Sequence, residues 1–287
     1  MKHLLMIMIC GMALTLSTRA QDTLPRSANN CIAIMGDSSS EGTFVALLPG
    51  SGVTVLQGTR IASLLHDALG AQDLLHYGIY DLSLGASAIS APNNEPYLTS
   101  REFELGRSLN CRYVVVFPFL NDLYTSDDTL DGIIDYQEAL NMLISDVQTY
   151  SPDSHLILLN FYAVRLQGVG ETTYDGNVSA EHVATLNTLH EDYCADYVDV
   201  TCLPLNDLLT PIEDYVIGSI PRAVYDAEYR VYNAEDQALV DSYWANRSTP
   251  IEGDGLHLNP EGQMRLVEAL MTTFERIDVL NFAPILR

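Results

Sequence analysis

Five positions in the chain have the residue types that acyl transfer through a covalent intermediate requires. Ser38 directly follows a Gly-Asp dipeptide, Gly85 and Asn121 lie further along, and Asp254 precedes His257 by three residues. A serine hydroxyl is a poor nucleophile without a base, and an imidazole titrates near neutrality, so it can accept a proton and return it. A carboxylate can orient that imidazole, and amide groups can bind an oxyanion. These residues therefore predict acyl-transfer chemistry.

An alternation of strand and helix patterns predicts the scaffold that must position these residues. The apolar patterns predict strands over 31–35, 74–79, 113–117, 155–161 and 197–201, and helices over 61–69, 100–109, 133–147, 179–193 and 260–275. This alternation predicts an α/β domain with a three-layer α/β/α, flavodoxin-like architecture and a mostly parallel five-stranded sheet. Such sheets bind ligands at the carboxyl ends of their strands, and the reactive residues follow predicted strands or precede the last helix.

Taken in order, the segments Gly36-Asp-Ser38, Gly85, Asn121-Asp122 and Asp254-Gly-Leu-His257 resemble the four blocks of the SGNH (GDSL) hydrolases, the GDSL-like lipases and esterases. The resemblance extends from residue 32 to about residue 275. It implies that Ser38 is the nucleophile, His257 the general base and acid, and Asp254 the residue that orients His257. It also implies an oxyanion hole made by the N–H groups of Ser38 and Gly85 and the side chain of Asn121, with no cofactor and no metal.

Two positions depart from the family pattern. Phe119 stands two residues before Asn121, where a glycine is common, so either this loop runs differently or an aromatic ring lines the pocket. Tyr80 and Asp81 stand where an asparagine usually precedes the second-block glycine, and Gly78 is therefore a second candidate for that oxyanion donor.

Neighbouring polar residues offer simpler interpretations of the first and third blocks. Ser39 and Ser40 could cap the following segment, but only Ser38 directly follows Gly-Asp. Asp37 is interpreted as an acid that fixes the loop, and Asp122 as one that braces its turn.

Composition and charge exclude several classes of function. The 287 residues include 14 Lys and Arg against 38 Asp and Glu, giving a formal net charge of -24. Nucleic acid binding needs a basic surface, and anionic membranes attract basic segments, so both partners are disfavoured. With 47% hydrophobic and 18% charged residues, the chain can bury a large core. The expected partner is a small-molecule, glycan or lipid ester.

The first 20 residues have the pattern of a secretory signal peptide. Lys2 and His3 precede an apolar run to Leu16, and Ala20 is the expected cleavage position. The alternative, an uncleaved anchor, is disfavoured because the run is shorter than a membrane-spanning helix. The expected organisation is a signal peptide over 1–20 and a single domain over 21–287, secreted or periplasmic and without stable membrane insertion.

Four cysteines remain after the signal segment, and four allow three pairings. Cys31 and Cys111 begin strands that would be neighbours in the flavodoxin-like order, so a disulfide between them is geometrically possible. Cys194 and Cys202 flank the predicted fifth strand at opposite ends, which disfavours that pair. Buried free thiols are the alternative.

Two segments have open interpretations. Residues 127–138 place acids and a glycine at the spacing of an EF-hand calcium loop, and the alternative is an acidic first turn of a helix. Residues 203–250 concentrate aromatic side chains before the Asp254 loop, and are interpreted as a lid-like insertion or a small helical subdomain.

The sequence therefore predicts a secreted serine esterase or lipase that hydrolyses carboxylic esters. A carbohydrate deacetylase (an acetyl esterase) and a non-catalytic domain that binds carbohydrate or a partner on the same fold are the alternatives. A further alternative is a flavodoxin-like cofactor binder that uses residues 38–40 as a phosphate loop.

Overall fold

The computed structural model describes residues 28–74, 76–90, 95–125, 130–162, 180–234 and 236–277. The strands are β1 Asn29–Gly36, β2 Thr43–Leu48, β3 Gly52–Gln57, β4 Gly78–Ser83, β5 Ser87–Ala88, β6 Glu95–Pro96, β7 Cys111–Val116, β8 His155–Leu159, β9 Val200–Leu203, β10 Ser219–Ile220, β11 Arg230–Val231 and β12 Ile251–Glu252. The helices are α1 Ser38–Glu41, α2 Ile61–Ala71, α3 Arg101–Ser108, α4 Asp122–Thr125, α5 Leu130–Tyr150, α6 Ala180–Asp196, α7 Leu205–Leu208, α8 Arg222–Glu228, α9 Gln237–Asn246 and α10 Pro260–Ile277. The predicted signal peptide, residues 1–20, lies outside the described residues.

Within the described residues, five parallel strands form the main sheet in the order β4-β1-β7-β8-β9. Numbered along the chain, this is the order 2-1-3-4-5, so the predicted flavodoxin-like α/β/α architecture is confirmed. Ile32 of β1 pairs with Ile79 on one side and with Tyr113 on the other, so β1 is an interior strand of the sheet. The four residues from Ile32 to Met35 are all fully buried, as expected when helices cover both faces of a parallel sheet. On these faces, α2 contacts α10 and α3 contacts α5.

Two predicted strands are shifted along the chain. The predicted strand at 74–79 is wrong in position, because β4 spans Gly78–Ser83 and enters the sheet at the Cys31–Gly78 pair. Leu74 and Tyr77 are buried in the core, but they belong to the connection after α2. The predicted strand at 197–201 is likewise β9 at Val200–Leu203. These two apolar runs therefore predicted which residues are buried, but not where each strand begins and ends.

A second sheet, which the sequence patterns did not predict, covers part of the site. In the described residues it has the order β10-β12-β2-β3-β11 and is built on the β2–β3 hairpin, in which Thr43 pairs with Gln57 and Leu48 with Gly52. The segment 203–250 contributes β10 and β11. Its residues Tyr225, Tyr243 and Trp244 pack in one core with Phe44 of the hairpin. This segment is therefore not an independent helical subdomain, because it shares its core with the β2–β3 hairpin.

Two disulfides close loops of very different length. The Cys31–Cys111 disulfide, which was predicted, links the neighbouring strands β1 and β7. Its two cysteines are 80 residues apart in the sequence. Cys194–Cys202 joins α6 to β9 across 8 residues. The expectation that disfavoured this second pair is wrong, because β9 starts at Val200 and α6 packs directly against it. Because each disulfide lowers the entropy of the unfolded chain, it stabilises the folded state by about 4.5 kcal/mol for the long loop and about 2.5 kcal/mol for the short one.

Among the described residues, no helix combines the length and apolar character needed to cross a membrane.

Candidate active site

The turn after β1 presents Ser38 at the carboxyl end of an interior strand of the main sheet. Asp37 caps α1, since its Oδ1 accepts a hydrogen bond of 2.9 Å from the Ser39 N–H. Gly36 is required here, because a Cβ at this position would lie 2.3 Å from Ser40 Oγ. Gly42 ends the turn at φ 79°, a left-handed conformation that favours glycine. The sequence Gly-Asp-Ser therefore fixes Ser38 as the first residue of a short helix.

The predicted nucleophile, base and acid form one hydrogen-bonded chain. Ser38 Oγ lies 2.8 Å from His257 Nε2, and His257 Nδ1 lies 2.6 Å from Asp254 Oδ2. An ionised carboxylate can only accept hydrogen bonds, so Nδ1 holds the ring proton and Nε2 accepts the bond from the Ser38 hydroxyl. This is the tautomer in which His257 can remove the serine proton.

The environment of the pair separates its two pKa values. Burial alone would lower the pKa of His257, but the charge of Asp254 and the hydrogen bond to it raise that pKa above its usual value. Burial alone would raise the pKa of Asp254, but the charge of His257 and three hydrogen bonds, two from His257 and one from Leu256, lower it. Asp254 Oδ1 accepts from the N–H groups of Leu256 and His257 at 2.9 and 3.0 Å. Asp254 is thus held ionised and fixed in orientation.

The loop that contains Asp254 and His257 is held by the segment from Tyr215 to Gly218. Ile217 N–H donates to His257 O at 2.8 Å, and Gly255 N–H donates to Ile217 O at 3.0 Å. Gly253 lies so close that a Cβ there would be 2.4 Å from Ile217 O. On the other side, Asn259 caps α10 by accepting from Gly262 N–H at 2.9 Å, with Pro260 at the first helical position as the sequence predicted.

The predicted oxyanion donors line the same cleft as the nucleophile. Ser38, Gly85, Asn121 and His257 all border a cleft of about 790 Å³. The side-chain amide of Asn121 donates to Asp37 Oδ2 at 3.1 Å and to the Ser87 carbonyl at 2.9 Å. The structure thus brings the predicted donors together with Ser38, and Asn121 in addition ties the nucleophile turn to the loop after β4.

The fold shows where Gly78, the alternative oxyanion donor, and the two unusual residues Phe119 and Asp81 lie. Gly78 pairs with Cys31 at the amino end of β4, far along the strand from Ser38, so it cannot serve as the donor. Phe119 does not line the cleft: its ring is buried 4.7 Å from that of Tyr97 in the main core. Asp81 accepts from Arg60 at 2.9 Å and from the Ser83 N–H at 3.2 Å.

Two buried acids brace the loops around the nucleophile. Burial raises the pKa of Asp37, and hydrogen bonds from Ser39 oppose that shift. Asp122 accepts from the N–H groups of Ile89 and Ser90, both at 2.9 Å, and burial raises its pKa to about 6. Both acids therefore have the loop-fixing positions that the sequence suggested.

The other interpretation of the serine turn, a phosphate loop, does not fit its surroundings. Ser39 N–H and Oγ are both bound to Asp37, and Ser40 Oγ donates to Asp37 O at 3.0 Å. Two acids, Asp37 and Glu41, are buried within the same turn. An incoming phosphate would meet negative charge instead of unsatisfied N–H groups.

The calcium-loop interpretation also conflicts with the fold. Residues 130–138 belong to α5, and a helix cannot present ligands at the alternating positions of an EF-hand loop. Residues 127–129 of the motif lie outside the described residues. Among those described, no group of three or more His, Cys, Asp or Glu side chains is placed to hold a metal ion.

Sequence reasoning missed most of the residues that form the walls of the cleft. Glu41, Phe44, Val45 and Val55 line it, as does Tyr232, which belongs to the segment 203–250 that was interpreted as a lid-like insertion. Glu41 could have been found from the sequence, because it lies three residues after Ser38 in the serine-rich turn. Phe44, Val45 and Val55 belong to the β2–β3 hairpin, which the sequence patterns did not predict.

Comparison with known proteins supports this description of the fold. No family model matches the chain, and no curated protein matches it. The structure is similar to a protein named as a GDSL-like lipase from Parabacteroides merdae, with 13% identity, a TM-score of 0.52, and coverage of 86% of this chain and 95% of that one. It is also similar to a lipase/acylhydrolase from Enterococcus faecalis, with 14% identity, a TM-score of 0.53, and coverage of 86% and 96%.

A carbohydrate acetylesterase from Sinorhizobium meliloti is similar at 15% identity and a TM-score of 0.55, with coverage of 86% of this chain and 99% of that one. The chain therefore has the SGNH hydrolase fold, and the resemblance predicted from the four sequence blocks is confirmed at the level of the fold.

Proposed function

We propose that the protein is a serine esterase of the SGNH type that hydrolyses carboxylic esters through an acyl-enzyme intermediate. The observation that carries this proposal is the continuous chain from Ser38 Oγ through His257 to Asp254, with distances of 2.8 and 2.6 Å. Residues that merely stabilised the fold would not need this tautomer, this order of partners and an open cleft at the serine.

In the proposed reaction, Ser38 Oγ attacks the ester carbonyl carbon while His257 Nε2 takes the hydroxyl proton. The carbonyl oxygen becomes an oxyanion beside the N–H groups of Ser38 and Gly85 and the side-chain amide of Asn121. The Asn121 amide donates to the oxyanion in exchange for one of its two hydrogen bonds to Asp37 and Ser87. The C–O bond to the alcohol then breaks, and His257 returns its proton to the departing oxygen. A water molecule attacks the acyl-serine by the same route, and Ser38 and the carboxylic acid are released.

The substrate class we propose is a small acyl ester, with acetylated carbohydrates as the leading group to test. One support is the similarity in fold to a protein named as a carbohydrate acetylesterase. A second support is the cleft, whose rim includes Tyr232, half exposed, and Asn233, since aromatic faces and amides are suitable for sugar rings.

We also propose that the mature protein is exported after removal of residues 1–20. The two disulfides support this, because disulfides persist in oxidising compartments. Mass spectrometry of the protein from the culture medium or periplasm tests it. A mature N-terminus at residue 21 is expected, and a chain that keeps residues 1–20 contradicts it.

The decisive experiment compares the protein with its Ser38→Ala variant on p-nitrophenyl acetate, butyrate and a long-chain ester. Removal of the nucleophile should lower kcat by about 10⁴-fold or more, with the variant still folded. Ser39→Ala is the matched control, since that hydroxyl is bound to Asp37 away from His257. A parent inactive on every ester would favour the non-catalytic carbohydrate- or partner-binding alternative. A Ser38→Ala variant as active as an active parent would show that Ser38 is not the nucleophile.

A further inference from the structure

The strand β2 of the hairpin is apolar on both of its faces. Phe44, Ala46 and Leu48 are buried in the core of the second sheet. Val45 and Leu47 alternate with them, so they lie on the opposite face, where they are only partly buried. An antiparallel sheet that packs one face on a core commonly has polar residues on the other. Apolar side chains on the outer face of β2 therefore indicate a binding role.

The strand β3 adds two more apolar residues to the same face. Val55 lies directly opposite Val45, and Val53 lies directly opposite Leu47, and residues paired in this way share a face. Val53 is 48% exposed. We call these four residues the apolar outer face. Tyr232, half exposed, continues it on β11, because its N–H donates to the Val55 carbonyl at 3.0 Å.

Polar residues border the apolar outer face on both sides. On one side, exposed Glu252 of β12 pairs with Leu47. On the other, exposed Arg230 of β11 pairs with Gln57, and its Nε donates to Gln57 Oε1 at 3.3 Å. An exposed apolar patch within a polar rim is typical of a binding surface.

This face is continuous with the proposed active site. Val45, Val55 and Tyr232 line the same cleft as Ser38. That cleft has a volume of about 790 Å³, which is in the range of pockets that hold a whole drug-sized molecule and is more than an acetyl group alone requires. An ester bound at Ser38 would therefore extend onto the first pair of valines.

The face continues beyond the cleft towards the hairpin turn. A strand rises about 3.4 Å per residue, so the Leu47–Val53 pair lies about 7 Å beyond the Val45–Val55 pair. A short group on the ester would contact only the first pair, and a longer group would contact both. The two pairs therefore provide a measure of how far a bound group extends.

We propose that the apolar outer face binds an alkyl or aryl group of the ester substrate. The inference rests on the proposed esterase function and specifies its substrate further. An acetylated sugar can contact Tyr232 at the rim, but its hydroxyl groups would lose water against four aliphatic side chains, so an apolar group is the better occupant of the face itself. The group belongs to the acyl or to the alcohol part of the ester, and the experiment separates the two.

Two series of esters, used below their micelle-forming concentrations, test the proposal. One keeps p-nitrophenol and lengthens the acyl group from acetyl to octanoyl, and the other keeps acetyl and lengthens the alcohol from ethanol to octanol. Each added methylene should raise kcat/KM about two- to fourfold in at least one series, because it buries further apolar surface, and that series identifies the bound group. Flat or falling profiles in both series overturn the proposal, as does a higher kcat/KM for glucose pentaacetate than for every member of both.

Valine-to-threonine variants place the bound group on the hairpin. Val55→Thr keeps the shape and the β-branched side chain but replaces a methyl by a hydroxyl, and it should lower the ratio of kcat/KM between the longest and shortest esters about three- to fivefold. Val53→Thr should lower this ratio by a similar factor but affect only the longer members, because Val53 lies farther from Ser38. A ratio is the readout because a loss of folded protein lowers the rates of all esters equally.

Val198→Thr is the matched control for both variants. Val198 is 95% exposed and lies outside the residues that line the cleft, so the same chemical change there should leave the chain-length profile unchanged. Ratios that neither Val55→Thr nor Val53→Thr changes, or that Val198→Thr changes equally, overturn the proposal.

A second copy of the chain is the other occupant that such a face can have. Analytical ultracentrifugation of the parent and of Val53→Thr tests this alternative. A dimer that Val53→Thr dissociates, together with flat chain-length profiles, would assign the face to self-association and overturn the proposal.

A binding measurement that does not depend on turnover separates this inference from the proposed function. Titration of the Ser38→Ala variant with octyl acetate should shift the NMR methyl resonances of Val45, Val53 and Val55 and leave those of Val198 in place. Unmoved resonances at all three valines overturn the inference. A parent that hydrolyses no ester contradicts the proposed function, and the methyl shifts then decide alone whether the face binds an apolar molecule. An active parent with flat profiles and unmoved methyl resonances contradicts this inference only.

Discussion

The two sheets of this protein are constructed in different ways and contribute different parts of the cleft. The main sheet consists of parallel strands of four to eight residues, and Ser38, Gly85 and Asn121 follow the carboxyl ends of β1, β4 and β7. The second sheet adds two-residue strands to one hairpin, and it supplies Phe44 and Val55 to the cleft wall. The proposed nucleophile and oxyanion donors thus follow strands of the main sheet, whereas Asp254 and His257 follow β12 of the second sheet, which also supplies much of the cleft wall.

His257 is the point where the two sheets meet. Its ring centroid lies 6.3 Å from that of Phe44, the first core residue of the hairpin. Its carbonyl accepts from Ile217, which belongs to the core of the second sheet. We therefore expect changes at the ends of the main strands to reduce the chemical step, and changes in the wall to alter substrate binding.

The largest expected effect tests the hydrogen-bonded series Ser38–His257–Asp254, which begins at the end of β1. Asp254→Asn should lower kcat by about 10⁴-fold, because a carboxamide can stabilise the wrong tautomer of His257 and cannot stabilise the imidazolium. Steady-state kinetics on p-nitrophenyl acetate measure the loss. Asp214→Asn, a change in a nearby 3₁₀ turn, is the control. A loss of less than about tenfold would contradict the assigned role of Asp254.

The next effect concerns Asn121. Asn121→Ala should lower kcat by about 10²- to 10³-fold, through loss of a donor to the oxyanion and of the tie between Asp37 and Ser87. Kinetics and thermal unfolding are measured on the same sample. A large fall in Tm with unchanged kcat would show that Asn121 only braces the loops.

The pH dependence should follow His257. The pKa of its imidazole is raised, so the neutral base is present only above that raised value and is lost as pH falls through it. We expect kcat/KM to fall about tenfold per pH unit on the acid side, with a midpoint above the usual 6.5. Asp254, whose pKa is lowered, stays ionised throughout. A midpoint clearly below 6.5 would contradict this assignment.

The smallest expected effect tests the wall. Tyr232→Ala removes a half-exposed ring from the cleft rim and should raise KM by about two- to fivefold on an aryl or glycan ester, with kcat unchanged. Tyr197→Ala, also exposed but outside the residues that line the cleft, is the matched control. If Tyr232→Ala lowers kcat instead of raising KM, the division between chemistry and wall is wrong.

The main sheet and its reactive residues could be predicted because their signals are local. Each buried strand is a short apolar run. Ser38, Gly85 and Asn121 stand a few positions after one, and Asp254 and His257 shortly precede the last helix. The second sheet is different. The hairpin has a local signal in two apolar runs around Pro49-Gly50-Ser51, but β10, β11 and β12 have two residues each, which is too short for any pattern. β11 and β12 pair with the hairpin across about 170 to 200 positions of the chain, and β10 pairs with β12 across about 30, so these pairings depend on tertiary contacts.

The same distinction explains the details of the site. The Asp-Gly-Leu-His spacing fixes the Asp254–His257 contact within one loop, so it is visible in the sequence. The approach of Glu41 to Gly85 depends instead on how β1 and β4 lie side by side. Contacts of that kind require the register of the sheet, which the shifted prediction for β4 did not provide.

The hydrogen bond between Ser38 and His257 joins residues 219 positions apart, and this has a consequence for biosynthesis. A nascent chain exposes its serine long before the base is translated, and the serine hydroxyl stays inert until the Asp254–His257 loop is seated between Ile217 and α10. Under the proposed function, a growing or truncated polypeptide cannot acylate itself or attack esters in the cell that makes it. Turnover would begin only once the whole domain has closed, so an activity assay would count completely folded molecules.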